Sequence, residues 1–544
     1  MRSFLETEGP STSLPRAMLW LLLPTLILGH GLLTTGWPLY RHWRQARRLN
    51  LPIIISPVRR WGHAHRLLQY IIDRDLLPSA ILKLPSVRIA QGNWTFREKF
   101  AIHQQYGKIF VLVSPTGCEI YVADAKAAKQ VLDRRNDFPK PNRLLAKLEE
   151  FGRNLATVDG EEWQRHRRLT SKAFHEKTYR TVWNEAYSAA SIIFRGWEIG
   201  ESASSTQSDM ATLSLKVLIQ ACFNLNNEND KTSADPTNVP SLQHHISRYL
   251  HSLTNFRPGP PAQEAGLDRL ALSEFIRRLV ENRKPTASTR SQNDLLSSML
   301  APAGGSEFSE SEIAGNLFLF IFAGHETTAS ALVYIIHLLA IYPEWQDWAI
   351  GEVDSVLASS TDDTKPGFHG VYPECKRLRA ILYETLRLYG PVPTIVRQTA
   401  AQDQILHYSD DIEVLIPKHT PVNINSMALH TSPESWGEDS LEWNPGRWIL
   451  TSDLTSDREL FGKMPSTFMA WGTGPRICPG QQFSQIEVVA VLVCLLRNYR
   501  VTIAPGGGED FNESRRHVLH LLQASRVELT LQMPQTAPIR LVKR

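Results

Sequence analysis

The residues Trp471-Gly472-Thr473-Gly474-Pro475-Arg476-Ile477-Cys478-Pro479-Gly480 combine types and spacing that could do chemistry. Gly472, Gly474 and Gly480 let the backbone turn sharply and pass close to a flat object. Pro475 and Pro479 remove two N–H groups and stiffen the turn. Arg476 sets a fixed positive charge two residues from the sulfur, which favours thiolate over thiol. Gln481 to Leu496 then reads as a helix, and the dipole at its N-terminal end again favours negative charge. A rigid, electropositive loop presenting one cysteine suits a single axial iron ligand. The plainer reading of a lone cysteine is a buried structural residue in a turn.

A second constellation lies in the longest helical stretch, Ser309 to Tyr342. It opens on Ser309-Glu310-Ser311-Glu312, a Ser-x-x-Glu capping box, and stops before Pro343. At ~1.5 Å per residue it would span roughly 50 Å. Leu317 to Phe322 is almost wholly apolar, so the helix is expected to be buried on most sides. Ala323-Gly324-His325-Glu326-Thr327-Thr328 interrupts it as a polar island, and such groups need partners or a role once buried. Thr327 can bond back toward the carbonyl of Ala323 and loosen the helix. His325-Glu326 begins a zinc-protease pattern, but Ala329 stands where the second histidine would be. Two further pairs are ordinary in isolation. Trp163 and Arg167 sit one helical turn apart, and Glu384 and Arg387 form an i,i+3 pair worth a few tenths of a kcal/mol. The latter spacing recurs at Glu162/Arg165, Glu274/Arg277 and Glu374/Arg377.

Taken together and in order, these segments resemble the cytochrome P-450 haem-thiolate monooxygenases. The family's haem loop is Phe-x-x-Gly-x-Arg-x-Cys-x-Gly. Gly474, Arg476, Cys478 and Gly480 match it, and Trp471 replaces the phenylalanine. The polar island resembles the family's oxygen-activating motif, with Gly324 leaving room above the haem and Glu326 and Thr327 relaying protons. Trp163-Gln164-Arg165-His166-Arg167 resembles its Trp-x-x-x-Arg, which reaches a haem propionate, and Arg397 matches another propionate position. Glu384 and Arg387 resemble its Glu-x-x-Arg, completed into a buried triad by Arg447 of Asn444-Pro445-Gly446-Arg447-Trp448. There Gly446 replaces the usual glutamate, which puts a local salt bridge in doubt. By the same resemblance, the segment Pro391 to Thr399 carries substrate contacts. Phe320, Ala323, Val392 and Pro393 are the expected pocket residues.

The elements that must position these residues set the expected fold. The resemblance covers roughly Leu51 to Gln532. It implies a mainly α-helical fold with a small β-rich part and haem b between the long helix and the cysteine loop. Length alone suggests roughly three or four domains at ~150 residues each. Motifs spread over one continuous stretch argue instead for one catalytic domain, residues 61–544. Gly92 to Tyr106 reads as one short helix closed by Gly107. Ile109 to Val113 and Glu119 to Val122 read as a hairpin, and Asp124 as the cap of a helix through Asp133. Several helices follow between Thr206 and Lys284. Asn224 to Pro240, Arg257 to Pro261, Lys284 to Asn293 and Ala301 to Gly305 read as connections.

Ahead of the domain, Ala17 to Leu33 carries no charge, and continued to Leu39 it reaches the ~20 residues that cross a bilayer. Arg41, Arg44, Arg47 and Arg48 follow, and Arg2 and Arg16 precede it. The Lys/Arg bias places the C-terminal bulk in the cytosol. Residues 1–16 are then a non-cytosolic tail, 17–39 a transmembrane anchor and 40–60 a basic, proline-containing linker. The alternative, a cleaved secretory signal, fits poorly with Pro24, His30 and the lack of a small-x-small cleavage site.

Composition narrows the function classes. With 42% hydrophobic and 21% charged residues the chain is globular in type. A net charge of +4 does not argue for nucleic acid. Cys118, Cys222, Cys375, Cys478 and Cys494 form no Cys-x-x-Cys pair, so no disulfide framework or zinc site is indicated, and a reducing compartment fits. The resemblance implies insertion of one oxygen atom from O2 into a lipophilic substrate, such as a secondary-metabolite intermediate. Electrons would come from NADPH through a membrane-bound reductase, with cytochrome b5 as a second donor. It places the enzyme on the endoplasmic reticulum membrane as a single-pass protein, similar to fungal biosynthetic members. A thiolate ligand favours O–O cleavage. Two other readings stand beside it: an O2-independent haem-thiolate isomerase or dehydratase, and a non-enzymatic haem sensor or carrier. Retention of both Glu326 and Thr327 argues against each.

Overall fold

The computed structural model is mainly α-helical with small sheets. It describes residues 32–58, 62–74, 76–141, 145–199, 203, 205–223, 239–254, 262–281, 294–300, 307–359, 366–408, 412–451, 459–504, 510–528 and 530–544. The chain divides into two units, Met1–Gly92 with Phe110–Ile120, and Asn93–Ile109 with Tyr121–Arg544.

In the first unit, residues 1–31 of the expected tail and anchor lie outside the described residues. Leu32–Gly36 forms a π-type turn that runs into α1 (Trp37–Ala46), with Pro38 in its first turn. Strand β1 (Ile53–Ile55) and helix α2 (His63–Asp73) follow, so the stretch read as a linker carries both a helix and a strand. Ile53 of β1 lies opposite Val111 of β2 (Ile109–Ser114) in parallel register. All six residues of β2 are buried, which explains its unbroken apolar run. β2 turns back into β3 (Gly117–Val122). Each strand extends past its expected limits into the turn.

The second unit carries the motifs. The single helix expected over Gly92 to Tyr106 is instead two, Trp94–Glu98 and Ala101–Tyr106. Lys99 separates them with φ +49°, which a helix cannot continue through. Asp124 caps α3 (Ala125–Asp133), its carboxylate accepting the Ala127 N–H at 2.9 Å. Then come α4 (Gly160–Ser171), α5 (Glu176–Ile199), α6 (Thr206–Phe223), α7 (Val239–Thr254) and α8 (Ala262–Glu281). The connections read at 224–238, 257–261, 284–293 and 301–305 lie outside the described residues. Val239 and Pro240 already belong to α7.

Helix α9 (Glu310–Ile341) begins at the expected capping box. Ser309 Oγ accepts the Glu312 N–H at 3.2 Å, and Glu312 Oε2 accepts the Ser309 N–H at 2.8 Å. Among the described residues it is the one helix long and apolar enough to cross a membrane, yet most of it is buried inside the protein. It packs against α6, while α5 lies against both α6 and α11 (Gln481–Asn498, defined below), making a central bundle. Helix α10 (Lys376–Tyr389) packs on α9. Strands β4 (Thr394–Gln398) and β5 (Pro421–Asn425) pair antiparallel with Arg397 opposite Val422. α11 (Gln481–Asn498) follows the cysteine loop. A short antiparallel pair, β6 (Arg526–Val527) and β7 (Leu531–Gln532), lies near the C-terminus.

α11 encloses a carboxylic acid. Glu487 is fully buried, and burial raises its pKa to about 8, with Ser214 of α6 pulling it part of the way back. The folded state therefore holds a proton that the unfolded chain releases from about pH 4.5. Its contribution to stability is complete below pH 4.5 and is lost as pH rises through 8. Glu487→Gln should raise the melting temperature at pH 8 and leave it nearly unchanged at pH 4.5. Equal shifts at both values would contradict burial as the cause.

Candidate active site

A cavity of about 440 Å³ lies in the second unit between α9, α10, β4 and the loop before α11. α9 contributes Thr327, Thr328 and Ala331, β4 contributes Ile395 and Arg397, and the loop contributes Trp471 and Cys478. The loop's shape follows from its glycines. Gly472 and Gly474 have φ +73° and +72°. A Cβ on Gly474 would stand 2.7 Å from Asp133 Oδ1 and 2.9 Å from the Leu132 carbonyl oxygen, so this turn closes against the end of α3 only because the side chain is absent. The Cys478 N–H donates to the Trp471 carbonyl at 3.0 Å. The Trp471 indole N–H donates to Ser484 Oγ at 3.1 Å and not to the sulfur. Replacement of the family phenylalanine thus leaves the thiol's hydrogen bonding untouched by the indole.

Cys478 is surrounded by protein except toward the cavity, where its side chain is exposed. Burial pushes its thiol above the ordinary value. The Gly480 N–H and the charge of Arg167 pull it down. The expectation that Arg476 supplies that charge is corrected here. Arg476 turns away, ion-paired with Asp159 and donating to the Val158 carbonyl at 3.2 Å. Its guanidinium lies 4.8 Å from the Trp163 ring centroid, and that of Arg135 lies 4.9 Å from the same ring. Trp163 and Arg167 are both absent from the cavity wall. Trp163 acts as a plate that Arg476 and Arg135 stack on.

Among the described residues the wall carries three cations, Lys140, Arg397 and Arg476, and no carboxylate, while Asp159 sits behind Arg476. Lys140 Nζ donates to the Ala156 carbonyl at 3.0 Å. Burial, with Arg476 and Arg397 nearby, lowers its pKa to about 7. Burial and Arg476 likewise lower Arg397 to about 10. Arg476 Nε is buried without a hydrogen-bond partner. Cations crowded in this way call for a buried anion. A flat dianion seated against them, with iron at Cys478, fits this donor set, and haem with its two propionates is such a group. Without that anion Lys140 is a burden. Its cost is complete below pH 7 and is relieved as pH rises toward 10.5. Lys140→Met should therefore stabilise the haem-free protein, most at pH 7 and below, yet speed haem loss to an acceptor such as apomyoglobin. A variant that retains haem as tightly as the parent would contradict this pairing.

On α9, Thr327 Oγ1 donates to the Ala323 carbonyl at 2.8 Å, as expected, and Thr328 Oγ1 donates to that of Gly324 at 3.1 Å. The helix nonetheless continues unbroken through both. Gly324 does not open space above the cavity. A Cβ there would meet Leu218 Cδ1 of α6 at 2.9 Å, so its bareness admits the neighbouring helix. His325 is buried, donating from Nδ1 to the Ile321 carbonyl at 2.6 Å, and burial lowers its pKa to about 4. Glu326 faces away from Thr327's cavity into a second one of about 290 Å³. Thr530 Oγ1 and Gln532 Nε2 donate to Glu326 Oε1 at 2.8 and 2.9 Å, from the end of the β6–β7 pair. Among the described residues no lysine or arginine lines this second cavity. The acid and the alcohol are chain neighbours that line different cavities beside α9. Of the four expected pocket residues, Val392 lines the larger cavity. Phe320 packs in the core with its ring 6.0 Å from that of Phe174. Ala323 and Pro393 do not line the cavity.

Glu384, Arg387 and Arg447 come together as expected. Glu384 and Arg387 have no exposed side-chain surface. Arg387 Nε and Nη2 meet the two carboxylate oxygens of Glu384 at 2.8 Å each, and Arg447 Nε meets Oε1 at 3.0 Å. The Trp448 indole and the Asn444 N–H add bonds of 3.0 and 2.9 Å. Arg387 also donates to the carbonyls of His430 and Glu442. The local salt bridge that Gly446 put in question is made by Asp439 instead, whose carboxylate binds Arg447 Nη2 at 2.9 Å. A Cβ at Gly446 would lie 3.0 Å from Trp345 Cη2, so little room exists for a glutamate.

Sequence reasoning missed Lys140, Arg135, Thr530 and Gln532. Only Lys140 carried a signal, a lone cation between Pro139 and Pro141. Those prolines hold it beside β4, where the Gln398 N–H bonds the Pro139 carbonyl at 3.0 Å.

A family model described as cytochrome P-450 matches residues 83–531. Relatives extend over most of the chain. The cytochrome P-450 monooxygenase ORF6 of Penicillium roqueforti is 28% identical, covering 92% of this chain and 92% of its own. A cytochrome P-450 monooxygenase of Arthrobotrys oligospora is 26% identical, covering 95% and 97%. The phomenoic acid biosynthesis cluster cytochrome P-450 monooxygenase of Leptosphaeria maculans is 28% identical, covering 75% and 78%.

Proposed function

The chain belongs to the cytochrome P-450 family and is a monooxygenase of that family, and on this premise we propose that it is a membrane-anchored enzyme that oxygenates a lipophilic biosynthetic intermediate. The observation that carries the site assignment is one cavity wall whose described residues join Cys478, Thr327 and three cations without a carboxylate. Cys478 would hold the haem iron through its sulfur. Gly480 donates to its sulfur, and Arg167 adds the compensating charge. Lys140, Arg397 and Arg476 would neutralise the haem's propionates, with Trp163 holding Arg476 in place. Trp471 walls the thiolate side. When bound, haem supplies dioxygen activation, which the thiolate promotes.

The protein's own residues handle protons and substrate. Thr327 presents its hydroxyl to the cavity while bonded to the Ala323 carbonyl. Glu326, held by Thr530 and Gln532, takes up protons on the second cavity's side of α9. The walls supplied by Leu382, Leu386, Val392, Ile395 and Val396 suit an apolar substrate. Membership of the relative from Leptosphaeria maculans in a named biosynthesis cluster supports a natural-product intermediate. Residues 17–39 anchor the chain in the endoplasmic reticulum membrane, following a non-cytosolic tail of 1–16. Residues 40–60 connect it to a cytosolic catalytic domain of 61–544. NADPH-cytochrome P-450 reductase delivers the electrons, and cytochrome b5 can supply the second.

Microsomes containing the chain, reductase and NADPH should convert a lipophilic substrate to a product carrying one atom of ¹⁸O from labelled O2. Conversion that proceeds without NADPH and O2 would support the isomerase or dehydratase reading instead.

A further inference from the structure

Between Glu8 and Asp73 the chain contains eight arginines and no aspartate, glutamate or lysine. Four of the arginines, Arg41, Arg44, Arg47 and Arg48, lie in or directly after α1, and all four are exposed. One face of α1 is fixed. His42 and Ala46, four residues apart, are buried. The His42 imidazole lies 3.0 Å from the Ser114 carbonyl of β2, and the Cys118 thiol of β3 donates to the His42 carbonyl at 3.2 Å. The other face is an unusual surface for water. Trp37 is 64% exposed and Tyr40 48%. The rings of Trp37, Tyr40 and Trp43 run in a row at 6.1 and 6.0 Å, and the Arg47 guanidinium lies 5.1 Å from the last of them.

Amphipathic aromatics settle where apolar and polar media meet, and arginines beside them pair with anionic headgroups. A stripe that has both, with no acid to repel such headgroups, is complementary to an anionic lipid surface. The row starts at Trp37, within the last residues of the 17–39 anchor segment, so it stands at the depth where an anchor would leave the bilayer.

We propose that α1 is an interfacial helix that docks its Trp37–Tyr40–Trp43 row and flanking arginines onto an anionic lipid surface. Because His42 pins it to β2 and β3, it acts as a rigid strut that sets how its unit sits on the membrane. This rests on the anchor reading given above. The stripe reads lipid charge, whereas the anchor requires only hydrocarbon.

The full chain, reconstituted into nanodiscs of phosphatidylcholine with or without phosphatidylserine, tests the proposal. Subtracting the emission of Trp37→Phe isolates Trp37. Its signal should be quenched by lipids brominated near the headgroup, more strongly in anionic discs, and protected from aqueous iodide. Reversing Arg44, Arg47 and Arg48 to glutamate should abolish the preference for anionic discs. The carbon monoxide band of that variant checks its folding, and neutral glutamine replacements serve if it fails. Quenching by iodide alone would place Trp37 in water and overturn the proposal. Protection from both quenchers would mean a protein partner or second copy covers the stripe, and would overturn it too. Bromine quenching indifferent to lipid charge and to the arginines would remove the anionic surface from the account. A chain that never joins the discs would overturn the anchor reading itself.

Discussion

Glu384→Ala is expected to remove most folded, haem-retaining protein. The substitution deletes the acceptor of two guanidinium groups and an indole at once. It leaves Arg387 charged with no exposed surface. Breaking a buried ion pair by removing one partner costs about 3–5 kcal/mol. That is a large share of the roughly 5–15 kcal/mol that separates a native domain from its unfolded chain. The loss should spread toward the cysteine loop. Arg387 bonds the His430 carbonyl, and His430 in turn accepts the Met469 N–H at 2.8 Å, two residues before Trp471. Thermal denaturation and haem content per folded chain measure the effect. Arg447→Ala should cost less, because Arg447 is partly exposed and Arg387 keeps both of its bonds to Glu384. A melting temperature unchanged by Glu384→Ala would mean that the triad does not hold this region together.

Short-range features were legible in the sequence. The capping box at Ser309 and Glu312, the Asp124 cap, the Thr327 back-bond and the stop at Pro343 each depend on neighbours within four residues, and each stands as expected. Meeting points between distant segments were legible only where several motifs converged, as in the Glu384 triad. Side-chain direction was not. Arg476 is two residues from Cys478 in the chain, but Asp159 and Trp163, more than three hundred residues earlier, decide where it points. The bareness of Gly324 serves α6, and no local pattern states which helix will cross there. Glu326 and Thr327 are adjacent, so helical geometry alone turns them to different faces. Which face meets which cavity is set by packing. The helix break at Lys99 had no glycine or proline to announce it. Lys140 was hidden for a related reason, since its role arises from two arginines brought beside it by other elements.

The central claim is that Cys478 binds iron as a thiolate, and Cys478→Ser should bring the largest functional loss in the chain. In the protein without metal, burial holds the thiol protonated against the pull of Gly480 and Arg167. A bound metal reverses that balance by displacing the proton. A serine hydroxyl is far harder to deprotonate and cannot supply the same electron density. The most direct test is the carbon monoxide difference spectrum of the dithionite-reduced protein, for wild type and Cys478→Ser side by side. The account predicts a strongly red-shifted Soret band in wild type that disappears in the variant, together with oxygenation of substrate. A Soret band at the ordinary histidine-ligated position, the same in both proteins, would contradict it, because the axial ligand would then lie elsewhere.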